Sequence, residues 1–160
     1  MRAWRQPLVL LAVAVLATAC NGPTSNASAS EQNRPEQTVD EPMKIRIIAA
    51  DQTFTAVLED SAAARDFAAL LPIDLVLSDH NRTEKIAHLP QRLSTAGAPD
   101  GVTPVAGDIA YYAPWGNLAI FYRDFGYSRG LVRLGRLEGG VDALAKIDAP
   151  VRIEPIPPQT

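Results

Sequence analysis

The sequence predicts a mainly β domain with two short helices, folded as a closed or nearly closed antiparallel barrel that the helices cap. Three observations point there. Seven or so short segments alternate apolar with polar residues or are rich in β-branched and aromatic side chains, the mark of buried or half-buried strands. Helical patterns occur only twice, once early and once late. The strand-like segments also follow one another too closely for repeated strand–helix–strand units. Closing an antiparallel sheet on itself removes the exposed edges that invite aggregation.

The chain opens with a leader over residues 1–19. Arg2 and Arg5 supply positive charge, Leu8 to Ala17 is an apolar run without charge or glycine, and Ala17-Thr18-Ala19 are small residues. That order of basic, apolar and small residues is a secretory signal. The run is too short to cross about 30 Å of hydrocarbon as a helix, which takes about 20 residues. Residues 20–42 read as a flexible spacer. They are mostly Ser, Asn, Ala, Thr, Gln, Glu and Pro with Val39 as the one large aliphatic residue, too little apolar surface to offset the entropy of ordering. A chain of this kind reaches roughly 25 Å.

Residues 43–157 form the folded domain, a common domain size. Lys44 to Ile48 begins a strand, Asp51-Gln52 turns, and Thr53 to Leu58 alternates with Phe54, Ala56 and Leu58 on one face. Residues 43–58 therefore make a hairpin. Asp60 or Ser61 caps a helix from Ala62 to Leu71, which Pro72 stops. Ile73 to Leu77 is a strand, and Glu84-Lys85-Ile86 reads as an extended edge. Gly97, Pro99, Gly101 and Pro104 mark a long surface loop over 94–104. Asp108 to Tyr112 and Leu118 to Arg123 are strands joined by the Ala113-Pro114-Trp115-Gly116-Asn117 turn. Gly130 to Leu137 is a further strand, Val141 to Ile147 a short helix, and Val151 to Ile156 the last strand.

Composition narrows the function. Apolar residues are 47% and charged residues 21% of the chain, near the average for folded soluble domains. A net charge of -3 argues against nucleic acid as a partner. The one cysteine, Cys20, cannot form an intramolecular disulfide or a thiolate-rich zinc site. It stands at the expected cleavage point, and the stretch resembles a bacterial lipoprotein signal. That resemblance implies a Cys20 thiol carrying diacylglycerol and a new N-terminus carrying a further acyl chain such as palmitate. Two or three acyl chains hold a protein stably on a membrane where one does not. The implied location is the cell envelope, at the outer membrane if the cell has two, because Asn21 rather than Asp follows the cysteine.

A second resemblance covers most of residues 43–147. It rests on Met43-Lys44-Ile45, Asp60-Ser61-Ala62-Ala63-Ala64, Leu71-Pro72-Ile73, Gly107-Asp108-Ile109-Ala110-Tyr111-Tyr112, Leu118-Ala119-Ile120-Phe121-Tyr122 and Leu134-Gly135-Arg136-Leu137 in that order. The set resembles the bacterial cyclophilin-like domain family, which implies an eight-stranded antiparallel barrel with a helix at each end. Catalytic cyclophilins isomerise X–Pro bonds, whose uncatalysed barrier is about 18–20 kcal/mol, with an arginine over an apolar pocket. Their hallmark stretch of Phe, His and Arg upstream of Gln-Gly-Gly-Asp has no counterpart here, and Gly107-Asp108 lacks the preceding Gln-Gly. No catalytic residue is carried over.

Asp79, His80, Glu84 and His88 form the densest group of metal-ligating residue types. On a helix, His80, Glu84 and His88 would share a face, but Asn81 favours a turn, and a solvent-facing polar loop is the expectation. No metal and no cofactor are therefore expected. No Gly-x-Ser-x-Gly elbow announces a serine hydrolase. The best site signal is aromatic. Seven aromatic residues fall between Tyr111 and Tyr127, with Arg123, Arg129, Arg133 and Arg136 close behind. Strand periodicity puts Phe121 and Arg123 on one face, with Trp115 at the turn beside them. Trp115, Phe121 and Arg123 are the candidate ligand pocket, for a small molecule or a peptide held by stacking and forked donors. The reading favours a lipid-anchored, non-catalytic binding module. The alternative is a weak peptidyl-prolyl cis-trans isomerase or envelope folding factor.

Overall fold

A computed structural model of the chain describes residues 42–158. The expected leader, Cys20 and all of the expected spacer but Pro42 lie outside those residues.

The described elements are β1 (Lys44–Ala49), β2 (Gln52–Leu58), α1 (Ala62–Ala68), β3 (Ile73–Val76), β4 (Ser78–His80), β5 (Glu84–His88), β6 (Gly101–Val102), β7 (Asp108–Tyr112), β8 (Asn117–Phe121), β9 (Ser128–Arg129), β10 (Leu131–Leu137), α2 (Val141–Leu144) and β11 (Pro150–Ile156). Nine strands form one antiparallel sheet in the order β3-β11-β1-β2-β10-β7-β8-β5-β4, and β6 pairs with β9 separately. The two edge strands, β3 and β4, are consecutive in the chain with Leu77 alone between them. The backbone itself therefore crosses the seam, and the sheet is nearly closed into a barrel.

The large sheet has nine strands where the resemblance implied eight. The extra strand is β4, in residues after Leu77 that the sequence presents as a solvent-facing polar loop and that pair with β5 instead. Leu77 turns inward and is 2% exposed, so the residues on either side of it pair with different neighbours, β3 with β11 and β4 with β5. Likewise β5 is not an edge, because β4 and β8 flank it on both sides.

The barrel interior follows the period-two pattern. Ile45, Ile47 and Ala49 of β1 join Phe54, Ala56 and Leu58 of β2, Ile109 and Tyr111 of β7, Leu118 and Ile120 of β8, and Val151 and Ile153 of β11 in one buried cluster. Both helices add to it. Ser61 caps α1, its Oγ accepting the Ala64 N–H at 3.1 Å, and Phe67 is fully buried. The helix ends at Ala68 rather than Leu71, and the last residues before Pro72 tighten into a turn. The shorter α2 presents Leu144 to the same cluster, with Ile147 following in a turn.

Strand β10 breaks the alternation once. Its register against β7 shifts between Arg133 and Gly135, leaving Leu134 as the extra residue of a β-bulge. Core-facing positions run Val132, Leu134 and then Leu137, so the parity flips across the bulge. Strict alternation would send Arg133 and Arg136 to opposite faces. The bulge brings both to the Asp108 carboxylate, Arg133 at 2.9 Å and Arg136 at 3.2 Å.

Candidate functional site

Strands β7 and β8 carry an apolar face on each side. Every residue of β8, from Asn117 to Phe121, is buried. Leu118 and Ile120 face the barrel interior, whereas Ala119 and Phe121 join Ala110 and Leu131 in a second buried cluster, with Ile86, Val102 and Tyr112 packed against it. This second cluster lies on the outside of the barrel. A surface-facing strand would carry polar residues there, so something must cover it. The β6–β9 pair supplies the cover. It is built for close approach, since a Cβ on Gly101 would sit 2.3 Å from the Ser128 carbonyl oxygen.

A cavity of about 160 Å³ lies on this outer face. Ala119 is central to its floor, with Asn117 and Phe121 two residues away on either side along β8 and Ile86 beside it on β5. A methyl side chain at that point leaves the depth that a larger residue would fill. The rim is aromatic. Trp115, on the turn between β7 and β8, is 55% exposed. Its ring stands edge-to-face to Tyr112 at 5.3 Å and to His80 at 5.6 Å, and Phe125 completes the lining. The volume suits a single ring, since a dry cavity of about 150 Å³ takes benzene.

Two polar groups in the lining lack partners. Asn117 is 2% exposed, and its Nδ2 donates to the Leu118 carbonyl at 3.1 Å. Its Oδ1 is buried and accepts nothing. The Glu84 Oε2 is buried and unpaired in the same way. Burial pushes the Glu84 carboxyl above the usual glutamate range; the charge of His80 opposes that rise, and Asp79 adds to it. Such groups cost roughly 1–3 kcal/mol each when left unsatisfied. The pairing of Glu84 with Phe121 in the β5–β8 register puts Glu84 and Asn117 at opposite ends of the floor, about 13 Å apart along the strands at about 3.3 Å per residue.

On the other face of the β4–β5 hairpin, the Tyr122 hydroxyl donates to Asp79 Oδ1 at 2.6 Å, and Lys85 Nζ lies 3.3 Å from the same oxygen. Burial and the Asp79 carboxylate push the Tyr122 hydroxyl up to about 12. The hydrogen bond from Tyr122 holds Asp79 below its ordinary range, against desolvation, with Lys85 helping. These contacts tie the hairpin that carries Glu84 to the end of β8.

Trp115 and Phe121 both line the cavity, and Arg123 does not. Strand β8 ends at Phe121, where the N–H groups of Tyr122 and Arg123 both donate to the Thr83 carbonyl. That turn ends the alternation, and Arg123 stands exposed. Two further lining residues are Asn117, which the sequence did not single out, and Glu84, which it singled out only as a metal-ligating type. Both lie at strand starts, where a turn residue looks the same. Among the described residues no group of three or more His, Cys, Asp or Glu side chains converges to hold a metal ion. Asp79 and His80 sit on β4 and Glu84 and His88 on β5, so the helical face that would align the last three does not form. A larger apolar groove of about 780 Å³ runs past Met43, Ala68 and Ile156, but neither unpaired buried oxygen faces it.

The model of the cyclophilin-like family matches residues 47–154 of the chain. No curated protein matches the sequence. Among solved structures, the fold is similar to that of a hypothetical protein from Archaeoglobus fulgidus determined in solution. The two are 18% identical with a TM-score of 0.51, over 72% of this chain and 95% of that one.

Proposed function

Because the chain belongs to the cyclophilin-like family, we propose that it works as a non-catalytic binding module, held at the cell envelope by a lipidated Cys20, whose barrel takes a small-molecule or peptide ligand in the outer-face cavity. The observation that carries the binding role is the cavity over Ala119, rimmed by aromatic rings and holding the unpaired Asn117 oxygen. A fold gains nothing from an unsatisfied buried acceptor, whereas a site that waits for a donor requires one. Turnover of X–Pro bonds is disfavoured on the same ground. The catalytic family holds an arginine over the bond, and among the described residues no arginine or lysine lines this cavity.

One experiment separates binding from isomerisation. The full chain in detergent should leave the isomerisation of a proline peptide at its background rate. A neutral ring-sized probe, cyclohexanol, should shift the side-chain amide resonances of Asn117 in a saturable way. Ala119→Leu, which fills the floor, should abolish that shift with the fold intact. Acceleration of the peptide that the same substitution removes would instead establish an isomerase.

The anchor rests on the leader and on Cys20. Mass spectrometry of the N-terminus of the exported chain should find Cys20 first and acylated, and Cys20→Ser should release the protein from membranes. An unmodified Cys20 thiol on a membrane-free protein would refute the anchor.

A further inference from the structure

The chemistry of the cavity narrows what it takes, and this step rests on the binding reading above. Its two buried, unpartnered polar atoms, Glu84 Oε2 and Asn117 Oδ1, are both acceptors. They stand at opposite ends of the floor, on the same sheet face as Ala119. Between and above them the surface is aromatic and aliphatic, with Tyr112, Trp115 and Phe125 at the rim. Among the described residues no lysine or arginine lines the space, and Arg123, the cation that the sequence offered, stands outside it.

An anion brought into this cavity would meet the Glu84 carboxyl and the Asn117 amide oxygen, with His80 the one lining side chain among the described residues able to carry a positive charge. A neutral hydrocarbon would fill the volume and leave both oxygens orphaned. A protonated amine satisfies the site in three ways. Its N–H groups are donors for Glu84 Oε2 while its apolar body fills the floor toward Asn117, its charge is opposite to that of Glu84, and that charge is attracted to the negative faces of the rings. We infer that the cavity is a receptor for an organic ammonium group on an apolar body of about one ring in size, whether a free amine or the side chain of a lysine.

The test compares three ring-sized probes on the full chain in detergent, read from the Asn117 side-chain amide resonances. These are cyclohexylamine, cyclohexanol and cyclohexanecarboxylate. The amine should bind about tenfold more tightly than the alcohol, the increment expected of one charge-assisted hydrogen bond, and the carboxylate most weakly. Glu84→Gln keeps the side chain's shape and removes its charge. It should erase the amine's advantage over cyclohexanol while the circular dichroism spectrum stays that of the folded protein, which a merely misfolded variant would not do. Equal or tighter binding of the alcohol or the carboxylate would overturn the ammonium assignment and leave the binding reading standing. So would an amine preference that survives Glu84→Gln. No response to any probe would overturn both. Blocked lysine methylamide separates the sources of the ammonium group: affinity equal to that of cyclohexylamine puts it on a protein partner, and failure beside a bound cyclohexylamine puts it on a small molecule.

Discussion

Gly135→Ala should cost the domain about 3 kcal/mol or more, enough to leave a large fraction unfolded if total stability lies at the low end of the usual 5–15 kcal/mol. Gly135 sits where β10 packs directly against the β2 backbone. A Cβ there would lie 2.2 Å from the Val57 carbonyl oxygen, 2.9 Å from Leu58 Cα and 3.0 Å from the Val57 carbonyl carbon. All three are backbone atoms, so no rotamer change relieves the clash, and the strands must part. Gly135 also pairs with Leu58 on one side and with Ile109 on the other, so parting them strains the sheet between its two hairpins. Urea denaturation followed by circular dichroism reads the loss as a lower midpoint. A Gly135→Ala midpoint within error of the wild type would mean that the β2–β10 contact is looser than described.

The second large effect is expected at Asp108. Its side chain is 1% exposed and its Oδ2 accepts the Val105 N–H at 3.0 Å. Arg133 reaches it through Nε at 3.1 Å and Arg136 through Nη1 at 3.2 Å. Asp108→Ala removes one carboxylate and strands three donors. Breaking a buried ion pair from one side costs about 3–5 kcal/mol. Both arginine side chains are more than 30% exposed and can turn to water, so about 3 kcal/mol is the expected loss, again read by urea denaturation. Arg136→Ala, which removes the more exposed partner, should cost under about 1 kcal/mol. Equal losses from the two substitutions would show that the Val105 contact and the Arg133 pair contribute little.

Much of the barrel was legible because a half-buried strand repeats every two residues, and the β1–β2 hairpin and β11 obey that rule. Reading failed where local pattern and tertiary pairing part company. Ser78 to His80 looks like the start of a polar loop, and only its pairing with β5 makes it a strand. Strands β4, β6 and β9 are two or three residues long, too short for any period to show. The outer-face cluster was hidden for another reason. A run such as Asn117 to Phe121, buried on both faces, has no alternation from which to tell inside from outside.

The candidate site divides along the same line. Trp115 and Phe121 stood out by chemical type and closeness in sequence. Arg123 seemed to belong with them because alternation was extended two residues past the strand's end. Glu84 comes from a different hairpin, and its place opposite Phe121 is a matter of register between β5 and β8.

By itself the sequence determined the fold class, a helix cap at Asp60 or Ser61, and the inward face of β2, since each depends on residues adjacent or two apart. Only the tertiary structure decided where the barrel closes, that a bulge brings two arginines to one aspartate, and that the cavity presents acceptors. Those facts depend on which strands lie side by side and in what register. Residues far apart in the chain settle that by fitting together, and no short window of sequence records the fit.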